Sequence, residues 1–212
     1  MNSNTLNPIK TLFILSFLCL SFNGNAQTYG QNGMVVSSNE IASKVGIEIL
    51  KKGGNAIDAS VATAFALAVT HPSAGNIGGG GFLVFKSVDG KATTIDFREK
   101  APLKATTNMF LDENGKLIPD SNHLTTKSIG VPGTVAGLYL AHQKYGKLPW
   151  KDLVEPSVKL AKDGFEMSWG LYFDILKLVK EDQSNTFINN YFNDANQQIT
   201  KPKTLWKQPA LA

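Results

Sequence analysis

The chain has 212 residues, 42% of them hydrophobic and 18% charged, a composition of folded globular proteins and not of disordered ones. Its 19 glycines and 9 prolines exclude collagen-like and low-complexity architectures. The net charge of +4 comes from lysines scattered singly or in pairs such as Lys51-Lys52, which disfavours a nucleic-acid surface, and the single cysteine, Cys19, excludes a disulfide framework or a cysteine-rich zinc site.

Residues 1–10 are polar with one charge, Lys10, and residues 11–22 are nearly all apolar. Gly24-Asn25-Ala26 then places small residues at the −3 and −1 positions of a cut. This is the pattern of a secretory signal peptide over residues 1–26, and it predicts export to a periplasmic or extracellular location. The apolar stretch falls short of the roughly 20 residues needed to span a bilayer. Leu18 before Cys19 argues against a lipid anchor. Cleavage after Ala26 removes Lys10 and Cys19, leaving 20 basic and 17 acidic residues, net +3, and no thiol for catalysis.

Along residues 27–212, Met34-Val35-Val36 predicts a short strand. Ser37 and Glu40 have capping-box spacing for a helix whose face carries Ile41, Val45 and Ile49 and which Gly53-Gly54 stops. Asn55 caps a second helix with Asp58 in its first turn, and the uncharged run from Ala59 to Val69 suits a buried helix ended by Pro72. After the glycine run 75–81, Phe82-Leu83-Val84-Phe85 predicts a strand covered on both faces. Asp89-Gly90 is a hairpin turn, and the next strand alternates, with Ile95 and Phe97 on one face and Asp96 and Arg98 on the other. Residues 103–130 are irregular, with a turn at Asn114-Gly115. Val135, Leu138, Tyr139 and His142 form the stripe of an amphipathic helix begun near Pro132. Residues 150–163 form further helical turns ended by Gly164, and 171–200 is helical with a weaker pattern. Residues 206–212 resemble the start of another helix.

Few side chains form a recognisable site. The glycine run lies between a helix and a following strand, the reverse of a dinucleotide fingerprint, and it lacks the Gly-Lys-Ser/Thr ending of a P-loop. His71, His123 and His142 have no metal-ligand spacing and read as structural. No Gly-x-Ser-x-Gly elbow supports a hydrolase triad. Arg98, at the end of a strand in Asp96-Phe97-Arg98-Glu99, offers a rigid fork of donors suited to a carboxylate, with a plain surface ion pair as the alternative.

Met34 through Ser38, Lys52 through Ala59, Asn76 through Phe82, Asp96 through Pro102, Gly130 through Gly137 and Leu160 through Phe165 form a set of segments whose order and separation are distinctive. Together they resemble the γ-glutamyltranspeptidase family, also called glutathione hydrolases. The resemblance implies an α+β fold of the N-terminal nucleophile hydrolase type, an αββα sandwich that is incomplete in this chain. It implies transfer or hydrolysis of the γ-glutamyl group of glutathione or another γ-glutamyl donor through a γ-glutamyl-threonine ester. An amino acid, a peptide or water is the acceptor, and no cofactor or metal takes part. The threonine's own amino group can serve as base, so no histidine is required.

In that family the matching arginine holds the donor's α-carboxylate, which the resemblance carries to Arg98, and the glycine run packs the sheet. The nucleophilic threonine belongs to a small subunit cut from the same precursor and is expected beyond residue 212. No catalytic residue is therefore assigned within 27–212, which matches the N-terminal portion of the large subunit. Thr125-Thr126 does not match the processing site. The fragment alone is expected to be inactive. Two alternatives are a non-catalytic subunit that pairs with a separate small subunit, and a related amide acylase of the same fold.

Overall fold

The computed structural model describes residues 29–181, 191–193 and 198–212. The predicted signal peptide therefore lies outside the described residues. The chain divides into two units, residues 1–34 and 35–212. In the first, residues 29–34 are an exposed irregular run bent at Gln31-Asn32.

The second unit is built around one buried helix. Helix α1 (Glu40–Lys51) and helix α2 (Ala56–Thr70) form a hairpin. Strands β1 (Phe82–Lys86) and β2 (Ala92–Asp96) follow, then helices α3 (Thr134–Tyr145) and α4 (Trp150–Asp163). A short strand β3 (Phe165–Glu166), helix α5 (Trp169–Glu181) and strand β4 (Leu205–Trp206) complete the described elements, besides a 3-10 turn at Thr126–Ser128. Helix α2 packs against α1, α3 and α4, which explains why its sequence is apolar and small on every side. Gly46 of α1 faces Thr63 of α2, and a Cβ there would overlap the Thr63 hydroxyl, so the two helices cross closely.

Helix α1 starts later than the Ser37–Glu40 spacing predicts. Asn39 is the cap, its Oδ1 accepting the Ile41 and Ala42 amides at 2.9 and 3.3 Å. Its Nδ2 donates to the Thr70 carbonyl at 3.2 Å, satisfying an orphan acceptor at the end of α2. Ser37 bonds the Asn39 carbonyl and the Ser43 hydroxyl instead. Gly53, at φ +88°, closes the C-terminus of α1 as the sequence predicts.

Asn55 and Asp58 form the capping box of α2, and Asp58 goes further. Its carboxylate is fully buried and also accepts the Lys147 amide at 3.0 and 3.1 Å and the Leu148 amide at 3.3 Å. Asn55 Nδ2 donates to the Tyr145 carbonyl. The start of α2 is thereby tied to the α3–α4 turn.

Strands β1 and β2 are antiparallel, with Phe82 opposite Asp96 and Lys86 opposite Ala92. Leu83, Phe85, Ile95 and Phe97 face the helical core. The opposite face of β1 is bare among the described residues: Phe82 is 67% and Val84 78% exposed, so the strand is covered on one face and not on two. Residues 34–36 form no strand. The buried stripe of α3 is Thr134, Gly137, Leu138 and Ala141, displaced from the predicted one because Val135 and Tyr139 turn outward.

A second core gathers Phe165, Met167, Leu171, Ile175 and Trp206 around β3 and β4. Residues 205–206 are thus a strand and not the predicted helix start, because Trp206 pairs with Phe165 and buries its ring there. Gln208 then turns inward. Its Nε2 donates to the Val69 carbonyl at 2.8 Å and its amide to the Ala161 carbonyl at 2.7 Å, satisfying the ends of both α2 and α4. Residues 182–190 and 194–197 of the predicted helical stretch 171–200 lie outside the described residues.

Candidate functional site

The site predicted around Arg98 lies where β2 leaves the sheet. Phe97 is the hinge: its amide donates to the Gly81 carbonyl at 3.0 Å, and its ring turns into the first core. Two glycines press on this ring and backbone from α3. A Cβ at Gly133 would overlap the Phe97 carbonyl, and one at Gly137 would overlap the Phe97 ring near its root. From the other side, a Cβ on Gly80 would lie 2.7 Å from Arg98 Cα and from the Glu99 amide nitrogen. The main chain at Arg98 therefore runs between two segments that approach it only because they carry glycine.

These two segments are joined. The Gly133 and Thr134 amides donate to the Gly79 carbonyl at 2.8 and 3.0 Å. Helix α3 has no side-chain cap of its own, since Gly133 occupies that position, and Gly79 supplies the acceptor from across the fold. Asn76 Oδ1 accepts the Gly79 amide at 2.8 Å and the Thr134 hydroxyl at 2.7 Å. Beyond Arg98, Lys100 and Val131 exchange backbone hydrogen bonds at 2.8 and 3.2 Å, so the segment stays extended.

Arg98 is exposed, and no ion pair or side-chain hydrogen bond engages its guanidinium among the described residues. The surface ion pair that was its alternative is absent there. Asp96 is occupied differently, its Oδ1 accepting the Arg98 backbone amide at 3.0 Å. Arg98 and Lys100, with Asp96 beside them, border a cleft of about 260 Å³ walled by Val131, Gly133 and Leu140. Such a cleft, with a planar fork and a second cation at its rim, suits an anionic ligand carrying a carboxylate.

The other residues weighed in the sequence stay apart from this cleft. His71 is the C-cap of α2. His142 donates from Nε2 to the Leu148 carbonyl at 2.7 Å and packs against Trp150. The Thr125 hydroxyl donates to the Ser121 carbonyl at 2.7 Å, holding its own loop. Among the described residues, no three His, Cys, Asp or Glu side chains gather as a metal site. Sequence reasoning found the glycine segments but missed Asn76 and Thr134 as their link. A threonine one residue after the Pro-Gly that opens a helix, with no cap at the glycine, was the available signal.

The family model described as gamma-glutamyltranspeptidase matches residues 42–212. The chain belongs to the gamma-glutamyltranspeptidase family. It is 53% identical to the glutathione hydrolase proenzyme of Escherichia coli (strain K12) over 147 residues, covering 68% of this chain and 25% of that protein. It is 45% identical to the glutathione hydrolase proenzyme of Pseudomonas sp. (strain A14) over 184 residues, covering 84% of this chain and 32% of that protein. The crystal structure of Helicobacter pylori gamma-glutamyltranspeptidase superposes with a TM-score of 0.80 at 40% identity, covering 87% of this chain and 53% of that one. The chain thus spans a third or less of the length of these two curated relatives. Its α+β fold is that of the N-terminal nucleophile hydrolases, of which it carries part of the αββα sandwich.

Proposed function

We propose that residues 27–212 are the N-terminal portion of the large subunit of an exported γ-glutamyl-transferring enzyme, and that Arg98 holds the α-carboxylate of glutathione or another γ-glutamyl donor. The observation that carries this is the guanidinium of Arg98, without an ion pair among the described residues, at the rim of a cleft in a chain of this family. The relatives' name, glutathione hydrolase proenzyme, supports a donor of this class and a precursor that is cut.

In the chemistry proposed, a threonine hydroxyl from the small subunit of the same precursor attacks the donor's γ-carbonyl carbon. The new C–O bond forms as the amide C–N bond breaks. The threonine's proton passes through its own amino group to the departing amine. Water, an amino acid or a peptide then takes the γ-glutamyl group and frees the hydroxyl. Arg98 contributes binding and orientation and forms no covalent bond.

The signal-peptide pattern supports removal of residues 1–26 and a periplasmic or extracellular site of action. Sequencing the N-terminus of exported protein tests this, with Gln27 expected first.

The activity is tested with a chromogenic γ-glutamyl anilide. The complete processed enzyme should release the anilide, and the 212-residue chain alone should not. Turnover by the chain alone would place the nucleophile within it and overturn the assignment. In the complete enzyme, Arg98→Ala should raise donor KM by an amount equivalent to about 1.5–3 kcal/mol, the scale of a hydrogen bond to a charged group. An unchanged KM would remove Arg98 from the donor site.

A further inference from the structure

We propose that Asn76 is the positioning residue for Arg98, acting with Thr134 as a latch that closes the glycine run and the start of α3 around the Arg98 main chain. The inference rests on the reading of Arg98 as the holder of the donor's carboxylate.

Arg98 lies at the end of a strand, past the last residue of the β2 ladder. Its guanidinium has no anchoring partner among the described residues, so the direction of its side chain depends on where its backbone is held. Besides the Asp96 Oδ1 that accepts the Arg98 amide at 3.0 Å, two close approaches hold that backbone. Gly80 lies against Arg98 Cα, and Gly133 lies against the Phe97 carbonyl with Arg98 O also nearby. Neither glycine can grip by a side chain. Each is placed by its own neighbours, and Asn76 is common to both.

The Asn76 Oδ1 takes the Gly79 amide, which sets the residue before Gly80, and the Thr134 hydroxyl, which sets the residue after Gly133. The Gly79 carbonyl then accepts both amides at the start of α3. Three hydrogen bonds between 2.7 and 3.0 Å thus join the two walls, the one from Thr134 to Asn76 across 58 positions of sequence. A carbonyl-type acceptor with two lone pairs is needed at Asn76, and a hydroxyl donor at Thr134. Asn76 also donates to the Ala74 carbonyl at 3.3 Å, which fixes which way its amide faces.

Asn76 is exposed, and its bonds contribute modestly to stability. A latch of this kind acts on direction more than on folding. Its loss should let the Arg98 backbone move relative to the cleft while the core stays intact. The effect belongs to carboxylate selectivity and not to catalytic chemistry.

The test uses the complete processed enzyme that carries this segment, with binding measured by calorimetry so that turnover is not required. The probes are L-glutamate, which has the α-carboxylate, and 4-aminobutyrate, which lacks it. The readout is the ratio of their affinities, taken alongside the thermal midpoint. Arg98→Ala should abolish the preference for glutamate. Asn76→Ala should lower it about five- to tenfold, and Thr134→Val about two- to fivefold, the size expected for one or two neutral hydrogen bonds. Thr134→Ser, which restores the hydroxyl, should keep the ratio within about twofold of the parent. If Asn76→Ala does not fold, the near-isosteric Thr134→Val and its Ser counterpart decide the matter.

A merely structural latch would lower the thermal midpoint and leave the ratio unchanged. Loss of selectivity in Arg98→Ala with none in Asn76→Ala or Thr134→Val would overturn the latch and leave the donor reading standing. An unchanged ratio in Arg98→Ala would overturn the donor reading itself, and the positioning role with it.

Discussion

Asp58 accepts the Lys147 amide on both carboxylate oxygens, at 3.0 and 3.1 Å, across 89 positions of sequence. One of them, Oδ2, also serves the Asn55 and Leu148 amides, at 2.9 and 3.3 Å. One buried carboxylate therefore caps α2 and pins the α3–α4 turn to it. Asp58→Ala should destabilise the chain by about 3 kcal/mol, because buried amides lose a charged acceptor. Denaturant unfolding of parent and variant checks this. A change under about 0.5 kcal/mol, the scale of ordinary surface substitutions, would show that water replaces the carboxylate without cost.

Gly137 and Gly170 should respond to alanine with opposite signs. Within a helix, alanine is favoured over glycine by about 0.8–1 kcal/mol. Nothing lies within 4 Å of a Cβ at Gly170, so Gly170→Ala should stabilise. At Gly137 the Cβ would overlap Phe97 near its backbone, where no rotamer change gives relief. Gly137→Ala should therefore destabilise by about 1–3 kcal/mol despite its better helix propensity. Thermal midpoints of the two variants, measured side by side, decide it.

The hairpin aspartate supplies a pH-dependent signal. The Ser87 hydroxyl, followed by the Lys91 side chain and amide, holds the Asp89 carboxyl below its usual range. A depressed folded value means that this contribution is present above the unfolded value and is lost as pH falls through the folded one. The carboxyl carbon of Asp89 should titrate by NMR below an ordinary aspartate. Ser87→Ala should move its midpoint back up. A midpoint unmoved by that substitution would deny the hydroxyl its role.

The bare face of β1 makes a different prediction. Phe82 and Val84 are exposed among the described residues, so Phe82→Ser and Val84→Thr should cost the isolated chain under about 1 kcal/mol, unlike core truncations at 2–5 kcal/mol. They should also lower its binding of a hydrophobic dye. A core-sized loss of stability would show that this face is packed in solution.

Local signals were the legible part of this chain. The Asn55–Asp58 box, the Asp89-Gly90 turn, the Gly164 stop and the alternation through Ile95 and Phe97 all stand as their residues predict, because each depends on neighbours a few positions away. The far half of each device was not legible. Asp58 meets backbone amides at Lys147 and Leu148, and amides leave no mark in residue type. Ser37 lost the cap of α1 to Asn39, whose second hydrogen bond reaches Thr70. The stripe of α3 was misplaced because glycine and alanine, weak hydrophobic signals, form its tightest contact with Phe97. Arg98 was legible as a motif residue. What holds its backbone was not, since that depends on main chain occupying the space a Cβ would take at Gly80 and Gly133.

The inward turn of Gln208 sets an order of events during synthesis. Its side chain meets the Val69 carbonyl across 139 positions of sequence. At translation rates of about 5–20 residues per second, roughly 7–28 s separate the appearance of the acceptor from that of its donor. Through that interval the end of α2 must keep water, or a chaperone, where Gln208 will later sit. Helix α2 is thus the first centre of the fold to emerge and among the last to be sealed.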